Sequence, residues 1–553
     1  MILRSMTTPL DPVHHGLLSP AERPSIPGGG PQRIGEVIDR TLATAPERTA
    51  LVGRNGRFSY AELDREADRA AFALTDLGVR QGARVAACLP NDVDIVVALL
   101  GAQRLGAIWV GINRALAPRE KVYQLADCGA SVLLASPDAV DEIAGERSGL
   151  PELQHAVRVA HGVPSEWHER LRAAGDPGRP VVAIDPHAPA AIAYTSGTTG
   201  HAKGAVHSHH NLLLVGAVAH ATGRYGASVS QGAVLPLTIL NIVVLTPLTA
   251  FQDGSSCIAI DRVDPEGIAD WLERESVGHF AGVPTIFHDL LTHPRVRTEQ
   301  LASLIRPEVG GAVCPEAFRT LYRERFGAEV TIGYGMAEAP TVVTRTDGGP
   351  SDEAGLCGRP VPQVDVVILG EDDRVLPAGE VGEICVAPAR SGDWAGVYTP
   401  MLGYWNRAEE TREALRGGMY HSGDLGVLGA DGNLTIRGRR NELILRGGAN
   451  VYPAEVERVL EEHPAVAAAA ALGVPDVRLG ERVVAAVELQ PGRALSLDEL
   501  AAHSAGRLAR YKLPDEVAVV AELPRNAMRK VLKRGLVQLF ASPIEEPRLE
   551  ANA

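Results

Sequence analysis

Ten consecutive residues carry the densest chemistry in this chain of 553 residues. After the short apolar run Ala190-Ala191-Ile192-Ala193-Tyr194 come Thr195-Ser196-Gly197-Thr198-Thr199-Gly200-His201-Ala202-Lys203-Gly204. Glycines let the backbone fold tightly enough to aim several N–H groups at one point, hydroxyls add donors, and Lys203 adds a positive charge. Set after a strand, such a run forms a cradle for an oligophosphate. The order differs from a Walker A loop, which requires Gly-x-x-x-x-Gly-Lys followed by Ser or Thr. A solvated turn uses the same residue types, so the rest of the chain has to decide between the two.

Five further runs bear on that decision. They are Gly310-Gly311-Ala312, Gly333-Tyr334-Gly335-Met336-Ala337-Glu338, Tyr420-His421-Ser422-Gly423-Asp424, the stretch from Gly438-Arg439-Arg440-Asn441-Glu442-Leu443-Ile444 through Arg446-Gly447-Gly448-Ala449-Asn450-Val451-Tyr452-Pro453, and Pro524-Arg525-Asn526-Ala527-Met528-Arg529-Lys530-Val531. Each alone has a plain reading: a turn, a surface acid, a charged hinge, a solvated lysine. Taken in this order across nearly the whole chain, they resemble the motif set of the ANL superfamily of adenylate-forming enzymes. That superfamily includes acyl-CoA synthetases, peptide-synthetase adenylation domains and luciferases, and its signature reads Tyr-Thr-Ser-Gly-Thr-Thr-Gly-x-x-Lys-Gly.

The resemblance implies roles residue by residue. Thr195 to Gly200 and Lys203 would hold the phosphates of ATP. Gly311 and Ala312 would lie beside the adenine and the acyl group, Tyr334 and Gly335 would form the adenine-side strand with Tyr334 stacked on the base, and Glu338 would contribute to a Mg2+ site. Mg2+ prefers oxygen ligands and usually takes only one or two carboxylates. Asp424 would accept the ribose hydroxyls, as a carboxylate with two oxygens can, and Arg439 would contact ribose or phosphate. Gly447 and Gly448 would line the entry for the coenzyme A thiol, and Lys530 would be the lysine of the adenylation step. The implied reaction joins a small carboxylic acid to AMP with release of pyrophosphate, then passes the acyl group to coenzyme A. Between the two steps the C-terminal part would rotate about the Arg440–Glu442 region. Offsetting the repulsion between a carboxylate and a polyphosphate is the task set for Lys203, Lys530, the loop amides and the cation.

Four positions depart from the superfamily pattern. Ala337 replaces a usual Thr, Glu442 a usual Asp, Arg529 a usual Gly, and Ile239 stands where many members place a His or an aromatic residue. Each substitution bears on rate, since losing one hydrogen bond to a charged transition state costs on the order of 10²-fold. Two alternatives therefore stay open beside the acyl-CoA ligase: a ligase that loads a carrier protein, and a nucleotide- or acyl-binding relative with weakened catalysis. The apolar Ile239, Ile242, Val243 and Val244, with Gly282 to Phe287, suggest a hydrophobic acyl pocket. A medium-chain, alicyclic or aromatic acid is expected over acetate.

The elements that must position these residues follow from length and periodicity. A chain of 553 residues exceeds one hydrophobic core. We expect an α/β protein: a mobile arm over 1–33, a large domain of layered α/β subdomains with a small β subdomain over 34–439, a small mobile α+β domain over 440–542, and a tail over 543–553. Ser59 and Glu62 have capping-box spacing ahead of a helix that Gly78 ends, Arg84 to Cys88 reads as a strand, Asn91 as the cap of a second helix, and Pro118 as the start of a third. Net charge is −14, which argues against nucleic acid as a partner. The apolar stretch from Ala233 to Phe251 is broken by Pro236, Asn241 and Pro247, so it is expected to be core and not an integral membrane span. Six scattered cysteines without a Cys-x-x-Cys pair suit a reducing compartment. Cytoplasmic residence is the expectation, with a homodimer left open.

Overall fold

Local signals are realised at several element starts. Ser59 Oγ accepts from the Glu62 N–H at 3.2 Å while the Glu62 carboxylate accepts from the Ser59 N–H at 2.8 Å, capping the helix Tyr60–Asp76. The strand Arg84–Cys88 and the helix Pro118–Cys128, opened by its proline, also lie where the sequence puts them. The second helix, Val93–Arg104, is capped by Asp92 and not by Asn91. Asn91 does different work. Its amide nitrogen donates to the carbonyls of Ala233, Leu235 and Ile260 at 2.9, 2.9 and 3.1 Å, and its oxygen accepts from the Leu237 N–H at 2.7 Å. It follows a strand of one sheet and bonds to the end of a strand in another, so it stitches the two together.

The computed structural model describes residues 12–540 apart from 21, 161–162, 196–200, 306, 312–313, 315, 328, 347–354, 371, 440–443, 452, 525–530 and 532. The described chain separates into two compact units, the larger comprising residues up to Thr195 and from Ala202 to 439, the smaller residues from 444 onward.

The larger unit holds two sheets. In the seven-stranded sheet the order is Gly403–Tyr404, Lys203–Ser208, Pro189–Thr195, Ile108–Gly111, Arg84–Cys88, Val132–Ala135 and His155–Arg158. Pairing is parallel from Pro189–Thr195 to His155–Arg158, and antiparallel at the Lys203–Ser208 end. The thirteen-stranded sheet has a parallel stretch formed by Thr49–Gly53, Cys257–Ala259, Ser230–Ala233, Val277–Gly282, Glu308–Gly310 and Thr331–Met336. From Thr331–Met336 outward it becomes antiparallel through Thr341–Arg345, Leu356–Pro360, Leu434–Arg439, Tyr420–Leu428, Gly382–Pro388 and Val364–Leu369. The β-rich segment expected as a subdomain is thus hydrogen-bonded directly onto the parallel sheet. One apolar core joins helices and both sheets, with Trp109, Trp167, Leu51 and Ile95 buried in it.

The apolar stretch is interior, as expected. Helical turns run from Leu240 to Asp253, and Pro247 is accommodated by a π-helical turn over Val244–Leu248, the usual way a helix absorbs a residue without an N–H. Among the described residues no helix is long and apolar enough to cross a membrane. All six cysteines are free thiols, five of them buried.

In the smaller unit the helix Pro453–Glu461 covers a five-stranded sheet. Strands Val466–Asp476 and Gly480–Leu489 pair antiparallel over ten positions, and Glu516–Val520 adds parallel to the second. Val456, Val459, Leu460, Val483 and Val487 form its separate core. Lys512 Nζ meets Glu455 Oε1 at 2.6 Å, both side chains nearly buried.

Candidate active site

The antiparallel pair Pro189–Thr195 and Lys203–Ser208 brings Thr195 opposite Lys203. A network of side chains anchors its base. Tyr194 Oη donates to Asp127 Oδ2 at 2.7 Å, Arg407 Nη2 donates to Asp127 Oδ1 at 3.0 Å, and the Trp405 indole N–H donates to the Asp127 carbonyl at 3.1 Å. Burial pushes the Tyr194 phenol well above its ordinary pKa, so it stays a donor at any working pH.

Thr331–Met336 supplies the second wall. It turns back on Thr341–Arg345 with a register shift between Tyr334 and Gly335. A Cβ on Gly335 would sit 1.5 Å from the Thr341 carbonyl oxygen, so only glycine allows this close return, and the return carries Glu338. The Glu338 carboxylate meets the first wall: Oε1 accepts from Thr195 Oγ1 at 3.1 Å and from Tyr404 Oη at 3.2 Å. Lys203 Nζ lies 5.4 Å from the centroid of the Tyr404 ring. Behind the turn, the fully buried His207 donates from Nε2 to the Ala337 carbonyl at 2.7 Å and receives Asn211 Nδ2 at Nδ1, 3.3 Å away. Burial pulls its pKa down to about 4, so near neutrality it is an uncharged ring locked in one tautomer. It steadies the peptide just ahead of Glu338.

Asp424 belongs to the third wall, the strand Tyr420–Leu428. Its Oδ2 accepts from Tyr334 Oη at 2.7 Å, and both side chains are buried. Glu383, on the neighbouring strand, fixes the approach: its Oε1 accepts from the Gly423 N–H at 3.0 Å, with Gly423 at φ +72°. Ser422 Oγ donates to the Ile384 carbonyl at 2.6 Å and accepts from the Asp424 N–H at 3.1 Å. Glu383, Cys385 and His421 bring three metal-ligand types within 4.8 Å of one another. The Arg416 guanidinium lies 3.3 Å from Glu383 Oε2, and His421 Nε2 donates to the Arg416 carbonyl at 3.2 Å. Those partners account for the cluster without a cation.

Sequence motifs separated by 143 residues (Thr195 and Glu338) and by 90 (Tyr334 and Asp424) therefore meet within the larger unit. Gly311, at φ +76°, follows the strand Glu308–Gly310. Arg439 is the backbone register partner of Asp424. Gly447 and Gly448 belong to the smaller unit, at φ +55° and +81° between the register partners Arg446 and Ala449. That is a two-residue type I′ hairpin, whose positive φ values give the glycines a conformational reason of their own. Ser196, Gly197, Thr198, Thr199, Gly200, Ala312, Glu442, Arg529 and Lys530 lie outside the described residues, as does the Arg439 side chain.

Sequence reasoning missed Asp127, His207, Glu383 and Tyr404. Glu383 left a trace, a lone acid inside the apolar strand Gly382–Pro388; the others left none. Ile242, Val243 and Val244 are buried in the main core, and Phe287 stacks on Phe280 in a second cluster. A cavity of about 330 Å³ is lined by Val215, Val218, Leu245 and Val342 together with Thr222, Arg224, Arg345 and Gln363.

Comparison with known proteins identifies the family. Residues 38–405 match the AMP-binding enzyme family, and residues 455–530 match the AMP-binding enzyme C-terminal domain. A feruloyl-CoA synthase from Amycolatopsis is 34% identical over 505 residues, covering 91% of this chain and 98% of the relative. An indoleacetate–CoA ligase from Aromatoleum aromaticum is 32% identical, with 92% and 98% covered. A long-chain-fatty-acid–CoA ligase of Mycobacterium tuberculosis is 30% identical, with 93% and 99% covered. Among solved structures, an amide bond synthetase from Marinactinospora thermotolerans superposes with a TM-score of 0.80 at 28% identity, covering 92% of this chain and 99% of the other. An o-succinylbenzoate CoA synthetase from Bacillus subtilis gives 0.79 at 27% identity, with 91% and 98% covered.

Proposed function

The chain belongs to the AMP-binding enzyme family, in the ANL superfamily of adenylate-forming enzymes, and is an AMP-forming acyl-CoA ligase; we propose that it activates a hydrophobic carboxylic acid in a site built on Thr195, Lys203, Tyr334, Glu338 and Asp424. The acid's carboxylate attacks the α-phosphorus of ATP, forming the acyl-adenylate as the bond to pyrophosphate breaks. The sulfur of coenzyme A then attacks the acyl carbon, losing its proton, and AMP leaves with the electron pair.

The meeting of Thr195, Tyr404 and Glu338 beside the Tyr334–Asp424 pair carries this reading. Tyr334 and Asp424 form the nucleoside side, where the Asp424 carboxylate accepts ribose hydroxyls. Lys203 and the hydroxyl of Thr195 form the phosphate side. Glu338 is only partly buried, and with the Thr195 hydroxyl it offers the hard oxygen donors that Mg2+ takes. When bound there, the cation offsets phosphate charge. Lys530, the lysine the motif assigns to adenylation, supplies positive charge to the reacting carboxyl.

The test is acid-dependent release of pyrophosphate from ATP over a panel of aliphatic, alicyclic and aromatic acids, followed by thioester formation with coenzyme A. Lys530→Ala is expected to lower pyrophosphate release by at least about 10²-fold, the size of effect seen when one charged transition-state contact is removed. Binding of ATP with no turnover on any acid would overturn the proposal, and loading of carrier proteins alone would replace coenzyme A as the acceptor.

A further inference from the structure

The strand that carries Tyr404 is short and lies at an edge. Gly403–Tyr404 ends the seven-stranded sheet and pairs at two positions, Gly403 with Val206 and Tyr404 with Ala205. So brief an edge strand depends for its placement on what flanks it. Its flank is the segment from Pro12 to Leu18, which lies ahead of residue 38, where the match to the family begins. The Leu18 N–H donates to the Leu402 carbonyl at 2.7 Å, and the Asn406 N–H donates to the His15 carbonyl at 2.9 Å. Leu17 is buried. Gly16, at φ +71°, passes so close that a Cβ there would sit 2.8 Å from the Ala408 nitrogen.

His15 makes the most specific of these contacts. Its ring stacks on the Trp405 indole, with centroids 4.0 Å apart and planes 14° from parallel, and its Nδ1 donates to Asn406 Oδ1 at 2.7 Å. Trp405 is fully buried, its backbone N–H held by the Gly204 carbonyl at 2.8 Å, one residue after Lys203. Asn406 stands at φ +55°, a left-handed conformation that a residue with a side chain keeps when its surroundings determine it. His15 supplies two of those determinants, one from its carbonyl and one from its ring. Fixing the two residues after Tyr404 fixes the direction of the tyrosine, whose Oη donates to Glu338 Oε1 at 3.2 Å and whose ring centroid lies 5.4 Å from Lys203 Nζ. A hydrogen bond of that length weakens with a shift of a few tenths of an ångström.

We propose that His15 is a positioning residue for the adenylation step: by covering Trp405 and clamping Asn406 it aims Tyr404, and through Tyr404 the carboxylate of Glu338. The proposal rests on the acid-ligase reading above, in which Glu338 serves the Mg2+ of the reacting phosphates. It gives the segment ahead of the family match a part in the first half-reaction. The second half-reaction, in which the polyphosphate has already left, does not call on it.

The experiment follows the two half-reactions separately in the full chain. One is pyrophosphate release from ATP with the fastest acid of the panel; the other is thioester formation from that acid's synthetic acyl-adenylate and coenzyme A. His15→Ala is expected to lower kcat for pyrophosphate release by about tenfold, as loss of one hydrogen bond to a charged group warrants, and to raise the Mg2+ requirement. Thioester formation should stay within about twofold. Tyr404→Phe should cost a similar factor in pyrophosphate release, and adding His15→Ala to it should cost nothing more, because both remove the same contact. His15→Phe, which keeps a ring on Trp405, should recover part of the loss. Gly16→Val, which drives the segment off Ala408 with His15 intact, should match His15→Ala. Should His15→Ala or Gly16→Val fail to fold, His15→Phe carries the cycle, and its smaller loss should vanish in the Tyr404→Phe background. A purely structural role would lower both half-reactions together with the folded fraction. That result, unchanged pyrophosphate release in His15→Ala, or additive losses in the double variant would overturn the proposal and leave the ligase reading standing. No pyrophosphate release by the unaltered chain with any acid would sink the reading, and the proposal with it.

Discussion

Glu338 sits on the turn between the strands Thr331–Met336 and Thr341–Arg345, Glu308 on the neighbouring strand Glu308–Gly310, and their partners set them apart. Glu338 is oriented by the hydroxyls of Thr195 and Tyr404, which fix the direction of a carboxylate without cancelling its charge. Glu308 is held by two guanidiniums and is almost wholly buried, so its charge is more than compensated. The strand pair Thr331–Met336 and Thr341–Arg345 thus has a carboxylate held by hydroxyls at one end and, at the other, Arg345 paired with a buried carboxylate. Neither acid's role follows from its being a glutamate. The neighbours decide whether it serves a ligand or the scaffold.

The largest expected effect falls on the scaffold acid. Glu308→Ala leaves Arg224 and Arg345 buried side by side, and breaking a buried ion pair in this way costs about 3–5 kcal/mol, measured as a lowered denaturant midpoint. A loss below about 1 kcal/mol would place Glu308 among solvated surface acids and break the comparison. Acid sharpens it. Burial alone would raise the Glu308 pKa, but Arg345 and Arg224 overcome that and lower it from 4.5 to about 2. With a depressed folded-state pKa, its stabilisation is present above pH 4.5 and is lost as pH falls towards 2. His207 is depressed from 6.5 to about 4 by burial, so its contribution is lost earlier, as pH falls from 6.5 to 4. A pH series of unfolding midpoints should show a first decline over the histidine range. The further loss below 4.5 should weaken in Arg345→Met.

Next comes the acid assigned to the ligand. Glu338→Gln keeps an oxygen that can accept from Thr195 and Tyr404 and removes the charge. We expect kcat to fall by about 10²-fold or more, in line with loss of one electrostatic contact to the reacting phosphates, with a raised Mg2+ requirement and an unchanged unfolding midpoint. A variant that unfolds but turns over normally once stabilised would make Glu338 a second Glu308.

Much of this was legible in the sequence, for identifiable reasons. Element starts were readable where a local rule governs them, as at Ser59, Arg84 and Pro118. Asn91 misled because Asn and Asp are equally good caps and the choice was made by carbonyls on Ala233, Leu235 and Ile260, far away in the chain. The motif residues Tyr334, Glu338 and Asp424 were readable because their spacing is local. Tyr404, Asp127 and His207 act only through partners brought close by folding. The acyl pocket has no comparable signature, because apolar residues look alike in sequence. Ile242 and Val243 went to the core, while Leu245, a few residues on, faces the cavity.

The smallest effect is expected at Glu383, which sits between the two extremes. Like Glu308 it is buried beside a guanidinium, Arg416; like Glu338 it touches the site proposed for the nucleotide, because its other oxygen accepts from the Gly423 N–H next to Asp424. If that second contact positions Asp424 for ribose, Glu383→Ala should raise the KM for ATP by about tenfold, the equivalent of one hydrogen bond to a charged group, and leave kcat within about twofold. Glu383→Gln, whose carbonyl oxygen can still accept from Gly423, should recover part of the loss. A purely structural role predicts otherwise: kcat and KM would change together with the fraction folded, and Gln would fare no better than Ala, since it presents an uncharged group to Arg416. The split between KM and kcat therefore decides whether an acid can brace the scaffold through one oxygen and the substrate site through the other.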